Sequence, residues 1–233
     1  MYRFSISLQD RSQDCCGIKN WELSDDYFGA PLHTMNGNQT EDIRNDLIRQ
    51  LARVVLYRAD LPVSDEKAYV RFFRNAHLIN VENVFLSKSA IAGASDAEIR
   101  NIIRIAASFS IRILLKPDAD HPAETSLERY AALRCSDTGL FYDPSEYVKQ
   151  HRNPYRDILY KSSLKDDIVF LRVDDMVFDT LQPVLPEHGN AQIKECASTL
   201  LARSFRGYFS FSDYGDFSAS EVIPAFCQTL SYL

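Results

Sequence analysis

The sequence predicts an α/β or α+β fold, with one mixed β-sheet, helices packed on it, and one central β-α-β unit. Three observations carry this reading. Glu82 to Leu86 and Ile111 to Leu115 are short apolar runs on either side of a capped helix, the pattern of two parallel strands and their crossover. Ser95 and Glu98 form a Ser-x-x-Glu capping box, and Ile99, Ile102, Ile103 and Ala106 follow on one helical face. Elsewhere, apolar stripes with helical spacing are interspersed with short β-branched and aromatic runs.

In chain order, Tyr2, Phe4, Ile6 and Leu8 alternate with polar residues, which predicts a half-buried strand. Residues 10–38 lack a clear period and hold turn clusters, so they are expected to form an irregular surface excursion. Thr40 is placed to cap a helix with the stripe Ile43, Leu47, Ile48, Leu51, Val54 and Val55, running to about Tyr57. Ser64 opens another, burying Tyr69, Phe72, Phe73 and Ala76. The central unit follows, and Pro117 stops its second strand because proline has no N–H for the ladder. Thr125 and Glu128 make a second capping box. Residues 136–167, rich in tyrosine and broken by Pro144 and Pro154, form a second irregular excursion. Ile168 to Val173 is a strand, Asp174-Asp175 a turn, and Met176 to Phe178 its hairpin partner. Asn190 caps a helix through Ile193, Cys196, Ala197, Leu200 and Leu201. Tyr208 to Phe211 is a strand, and Ser218 or Ser220 opens the last helix. No repeat or linker divides the chain, so residues 1–233 are expected to form a single globular domain.

The composition restricts function. Net charge is −6, which argues against broad nonspecific nucleic-acid binding, and only 8 glycines leave little room for a glycine-rich phosphate cradle. The 5 cysteines show no CxxC spacing, as expected of reduced thiols in a cytoplasmic protein. Met1 to Ile6 alternates rather than running apolar, so no signal peptide is expected, and no run reaches the roughly 20 apolar residues of a membrane span. Gly-x-Gly-x-x-Gly, Walker A, Gly-x-Ser-x-Gly and His-Glu-x-x-His motifs are absent.

Three groups of residues could carry chemistry. Asp118, Asp120 and His121 follow one apolar strand and are the candidate catalytic residues. With Asp174 and Asp175 beyond another strand, Asp118 and Asp120 would converge as oxygen ligands for Mg²⁺ or Mn²⁺ if the strands are parallel neighbours. The plainer reading of Asp174-Asp175 is a turn, because Asx side chains hydrogen-bond their own backbone. Lys149, Arg152, Tyr155, Arg156, Tyr160 and Lys161 interleave cations and rings, as a groove for single-stranded nucleic acid does, although Glu146, Asp157, Asp166 and Asp167 dilute the field. Cys135 with His151 or His121 is a third, weaker combination.

Missing catalytic motifs, acidic balance and 12 tyrosines point first to a non-enzymatic intracellular interaction protein: a subunit, adaptor or inhibitor in a larger complex, such as an immunity or defence component. Its partner would be another protein, with nucleic acid reached through the local basic patch and no membrane. The competing expectation is a divalent-metal-dependent enzyme acting on phosphate esters, nucleotides or nucleic acid.

Overall fold

The computed structural model describes residues 2–116 and 123–233. Its elements are β1 (Phe4–Ser7), β2 (Asn20–Ser24), α1 (Asp25–Phe28), α2 (Gly37–Arg49), β3 (Arg53–Ala59), α3 (Glu66–Leu78), β4 (Asn83–Leu86), α4 (Lys88–Ile91), α5 (Asp96–Ser108) and β5 (Arg112–Leu115). There follow α6 (Ala123–Leu133), β6 (Thr138–Tyr142), α7 (Pro144–Val148), β7 (Ile168–Arg172), β8 (Asp175–Met176), β9 (Pro183–Val184), α8 (Ile193–Ala202), β10 (Tyr208–Phe211) and α9 (Ala219–Leu230). Eight strands close into a barrel in the order β1-β10-β7-β6-β5-β4-β3-β2, and β8 and β9 form a separate antiparallel ribbon.

This corrects the expected mixed sheet with one β-α-β unit: every strand pairing resolved in the barrel is parallel. The reason is burial on both faces. In β3 all of Val54, Val55, Leu56 and Tyr57 are buried, and in β6 all five residues are. Such strands show no polar alternation and are easily absorbed into neighbouring patterns. Val54 and Val55 therefore belong to β3, not to the preceding helix, which starts at an Asn36–Gln39 capping box rather than at Thr40. β2 and β6 lie inside the two stretches expected to be irregular. Trp21, within the first of these stretches, is a buried strand residue. Met176 pairs with Pro183 in the ribbon instead of forming a hairpin with β7. The expected capping box at Ser95–Glu98 forms, and of the two starts expected for the last helix it is Ser218 that caps it, in a box with Glu221.

The chain divides into two compact units. One holds residues 7–115 and 133–139, with β2, β3, β4 and β5 as four neighbouring parallel strands. Its core includes a run of rings, Tyr57, Phe72, Phe73 and Tyr69, with centroids 5.3–6.0 Å apart. The other holds residues 1–6, 116–132 and 140–233, with β1, β10, β7 and β6 as its parallel strands. Phe4, Phe209 and Phe211 lie on one face of this sheet around Phe226 of α9, at 6.4, 5.0 and 5.7 Å. Burying these rings against the helix supplies the hydrophobic stabilisation of that layer. The opposite face carries the candidate site.

Candidate active site

Side chains alternate along a strand, so the face opposite Phe209 and Phe211 is set by Tyr208 and Ser210. Strand register places Ser5 beside Ser210 and Ser210 beside Arg172. One level lower, Tyr208 pairs with Phe170 and Phe170 with Phe141. These rings stack at 4.9 and 5.7 Å, and the Arg3 guanidinium caps the row, 4.0 Å above the Tyr208 ring. An aromatic layer thus underlies a polar one, in the layered manner of barrel strands.

The polar layer ends in a buried charge network at the carboxyl ends of the strands. Asp143, directly after β6, is 5% exposed and accepts from Lys116 Nζ at 2.8 Å and from the Ser145 hydroxyl and backbone N–H at 2.6 and 3.0 Å. Lys116, directly after β5 in sequence, also lies 3.4 Å from Glu146, which pairs with Lys149 at 2.9 Å. Arg172 and Lys116 share the Phe141 ring, with Cζ 5.2 Å and Nζ 5.8 Å from its centroid. Arg172 Nε faces Asp174 at 3.9 Å, and Ser212 reaches the same carboxylate at 3.5 Å. Side-chain exposure of 23% for Lys116 and 13% for Arg172 leaves both cations within reach of a small ligand.

Burial opposes charge on both Asp143 and Lys116, but their mutual attraction outweighs it. Asp143 is held below the usual carboxylate range by Lys116, with help from Ser145 and Arg172. Lys116 is held above its ordinary value by Asp143 and Glu146. Both are charged at neutral pH, so neither is a proton donor or acceptor of matched pKa. Tyr214 sits beside this network: burial, then the Asp174 and Asp143 carboxylates, push its phenol up, keeping the O–H as a donor. The buried Ser210 hydroxyl makes no hydrogen bond to a protein group among the described residues, and the Tyr214 hydroxyl faces Ser145.

The residues singled out from sequence are distributed differently. Asp118, Asp120 and His121 lie outside the described residues. Asp174 belongs to the network. Asp175 does not join it: its carboxylate accepts the backbone N–H groups of Met176, Glu187, Gly189 and Ala191 at 2.8–3.1 Å, which clamps the loop after the ribbon. Among the described residues no group of three or more His, Cys, Asp and Glu side chains is placed to hold a metal ion. In the basic stretch, Lys149 pairs with Glu146 and Arg156 with Asp157 at 3.1 Å, while Tyr155 packs edge-on against the exposed Tyr160. Lys161 is exposed and lines a shallow depression with Asp157 and Glu128, and Arg152 is half-buried. Cys135 is an exposed free thiol.

Sequence reasoning passed over Lys116, Asp143, Glu146, Arg172, Ser210 and Tyr214. The available signal was a charged residue at the end of each apolar run, in Ile-Leu-Leu-Lys, Phe-Tyr-Asp-Pro and Phe-Leu-Arg. In open and closed parallel sheets alike, ligands gather at that end of the strands.

No protein-family model matches the sequence, and no curated protein does. Solved structures do. A D-tagatose 3-epimerase-like protein superposes with a TM-score of 0.74 at 14% identity, over 99% of this chain and 97% of the other. The probable 3-DHS dehydratase AsbF of Bacillus anthracis, involved in petrobactin synthesis, gives 0.71 at 13% identity over 99% of each chain. A xylose isomerase-like TIM barrel protein from Mycobacterium smegmatis, in complex with magnesium, gives 0.70 at 12% identity over 99% and 96%. Full-length likeness to enzymes of this kind overturns the expected non-enzymatic adaptor or defence component, and phosphoryl-transfer chemistry finds no support. The fold is a closed eight-stranded parallel TIM barrel, similar to those of these structures.

Proposed function

We propose that the chain is an enzyme acting on a small, neutral, polyhydroxylated carbonyl compound, and that it moves a proton at a carbon next to the carbonyl. The observation that carries this reading is the charged layer formed by Lys116, Asp143, Arg172 and Asp174 at the carboxyl ends of the strands, where barrel enzymes keep their substrates. Lys116, Arg172 and Lys149 stand against Asp143, Glu146 and Asp174, so the charges balance. A balanced array of donors and acceptors suits sugar hydroxyls better than phosphate. The name of one solved relative, a D-tagatose 3-epimerase-like protein, points to the same class of substrate.

In this reading Arg172 and Lys116 donate to the substrate oxygen on which negative charge develops, as preorganised dipoles do in enolisation. Asp174, beside Arg172 and Ser212, is the base that takes the proton from the carbon next to the carbonyl and returns it; Asp143, held as an anion, accepts a substrate hydroxyl, and Tyr214 donates from the side. Phe141, Phe170 and Tyr208 exclude water from below, which strengthens each of these interactions. Lys116 fills the space between Asp143 and Glu146 that a divalent ion would need. Free thiols at all five cysteines suit a reducing compartment, and we place the enzyme in the cytoplasm. Among the described residues no helix is long and apolar enough to cross a membrane.

The test is solvent exchange: ketopentoses, ketohexoses and hydroxylated cyclic ketones are incubated with the protein in D₂O and followed by NMR. The expected result is deuterium at one carbon next to the carbonyl, slowed by about 10²–10³-fold in a folded Arg172→Met variant. Exchange that Arg172→Met leaves unchanged, or none with any member of the panel, would refute the assignment.

A further inference from the structure

The carboxylates at the end of β6 already have a cation, and it is covalently attached. Lys116 Nζ sits 2.8 Å from Asp143 Oδ2 and 3.4 Å from Glu146 Oε1, over the same Phe141 ring that holds Arg172. Mg²⁺ takes carboxylate oxygens at roughly 2.0–2.1 Å and needs a near-octahedral shell of oxygens. An ammonium is instead a single charge with three donors on a flexible stem. Both cannot be present: they would claim the same oxygens and repel one another within a few ångströms. The next cation along the layer is also organic, Arg172 facing Asp174 at 3.9 Å. The neighbouring polar positions on the sheet, Ser5 and Ser210, are hydroxyls, which are poor substitutes for carboxylate or imidazole ligands.

We infer that Lys116 is a tethered cation that takes the place of a divalent metal ion, so that this part of the barrel stabilises negative charge through Lys116 and Arg172. The chain would differ here from its magnesium-complexed structural relative. The inference rests on reading this network as the substrate site, but its test needs no substrate.

Mn²⁺ binding is measured by titration calorimetry and by electron paramagnetic resonance on wild type, Lys116→Ala, Lys116→Ser and Lys116→Ala/Asp143→Ala, each first checked for a cooperative thermal melt. Removing the ammonium frees Asp143 and Glu146, so the expected result is a gain of about tenfold or more in Mn²⁺ affinity in either single variant, absent from the double variant. Wild type should show no Mn²⁺ binding that depends on Asp143. A folded single variant that binds Mn²⁺ no better than wild type overturns the inference, as does wild-type binding abolished by Asp143→Asn. If neither single variant folds, the wild-type titration decides in the same terms. Failure of solvent exchange with the Mn²⁺ results intact would dispose of the substrate reading alone.

Discussion

The four strands β2–β5 and the four strands β1, β10, β7 and β6 are built alike but use their polar residues differently. In the first set, polar groups beyond the strands are tied to the chain itself. Asp25 accepts from the Tyr57 hydroxyl at 2.7 Å and the Leu32 N–H at 2.8 Å, fixing the segment after β2. Arg58 bridges Asp26 and Asp60 on an exposed surface. In the second set, Lys116, Asp143, Arg172 and Asp174 are gathered over an aromatic floor, with the buried Ser210 hydroxyl beside them. One set of strands uses its polarity for architecture; the other concentrates it in the buried network where we place the substrate. Desolvation makes the second arrangement far more sensitive to the loss of any partner.

That contrast is sharpest at Asp143. Asp143→Ala takes from the Lys116 charge its nearest counter-ion and is expected to cost about 3–5 kcal/mol in urea unfolding. The same pair predicts a pH profile. Asp143 is held below its ordinary 3.8, so its contribution is complete above that pH and is lost as pH falls through the depressed value. Lys116 is held above 10.5, so its contribution is complete below that pH and disappears as pH climbs past it. Stability from this pair should be level between these limits, and Asp143→Asn should flatten the acid limb. An unchanged acid limb in that variant would break the comparison.

Asp175→Ala comes next, at about 3 kcal/mol, because it strands buried backbone donors. Since it holds the loop rather than the network, it should leave the solvent-exchange rate of the folded protein nearly unchanged. Among β2–β5, Tyr57→Phe removes one hydrogen bond to a carboxylate, for about 1.5–3 kcal/mol. Arg58→Ala should cost less than about 1 kcal/mol, with the difference shrinking in high salt, because its partners are exposed and screened. A large loss at Arg58 would show that the first set of strands also carries a critical charge cluster.

Legibility from sequence followed the range of the interactions. Helix starts were readable where a capping box is local, as at Ser95–Glu98, and Ser218, one of two starts expected for the last helix, forms such a box with Glu221. Helix ends were not, because the chain turns through left-handed residues that are not glycine: Leu51 (φ 55°) after α2 and Ser110 (φ 60°) after α5. With no glycine there, the stripe of α2 ran on into β3. The candidate site was harder still. Lys116, Asp143 and Arg172 each stand at the end of a different apolar run, and nothing local distinguishes such a charge from an ordinary strand terminus.

The sequence by itself determined the capped amphipathic helices, the mixed α and β content and the unpaired thiols, since these depend on residues a few positions apart. The tertiary structure decided that the strands are parallel and close into a barrel. It also decided that Asp175 clamps a loop while Asp174 joins a charge network, and that Lys116 meets Asp143. Strand register and burial set those outcomes, and both depend on partners far away in the chain.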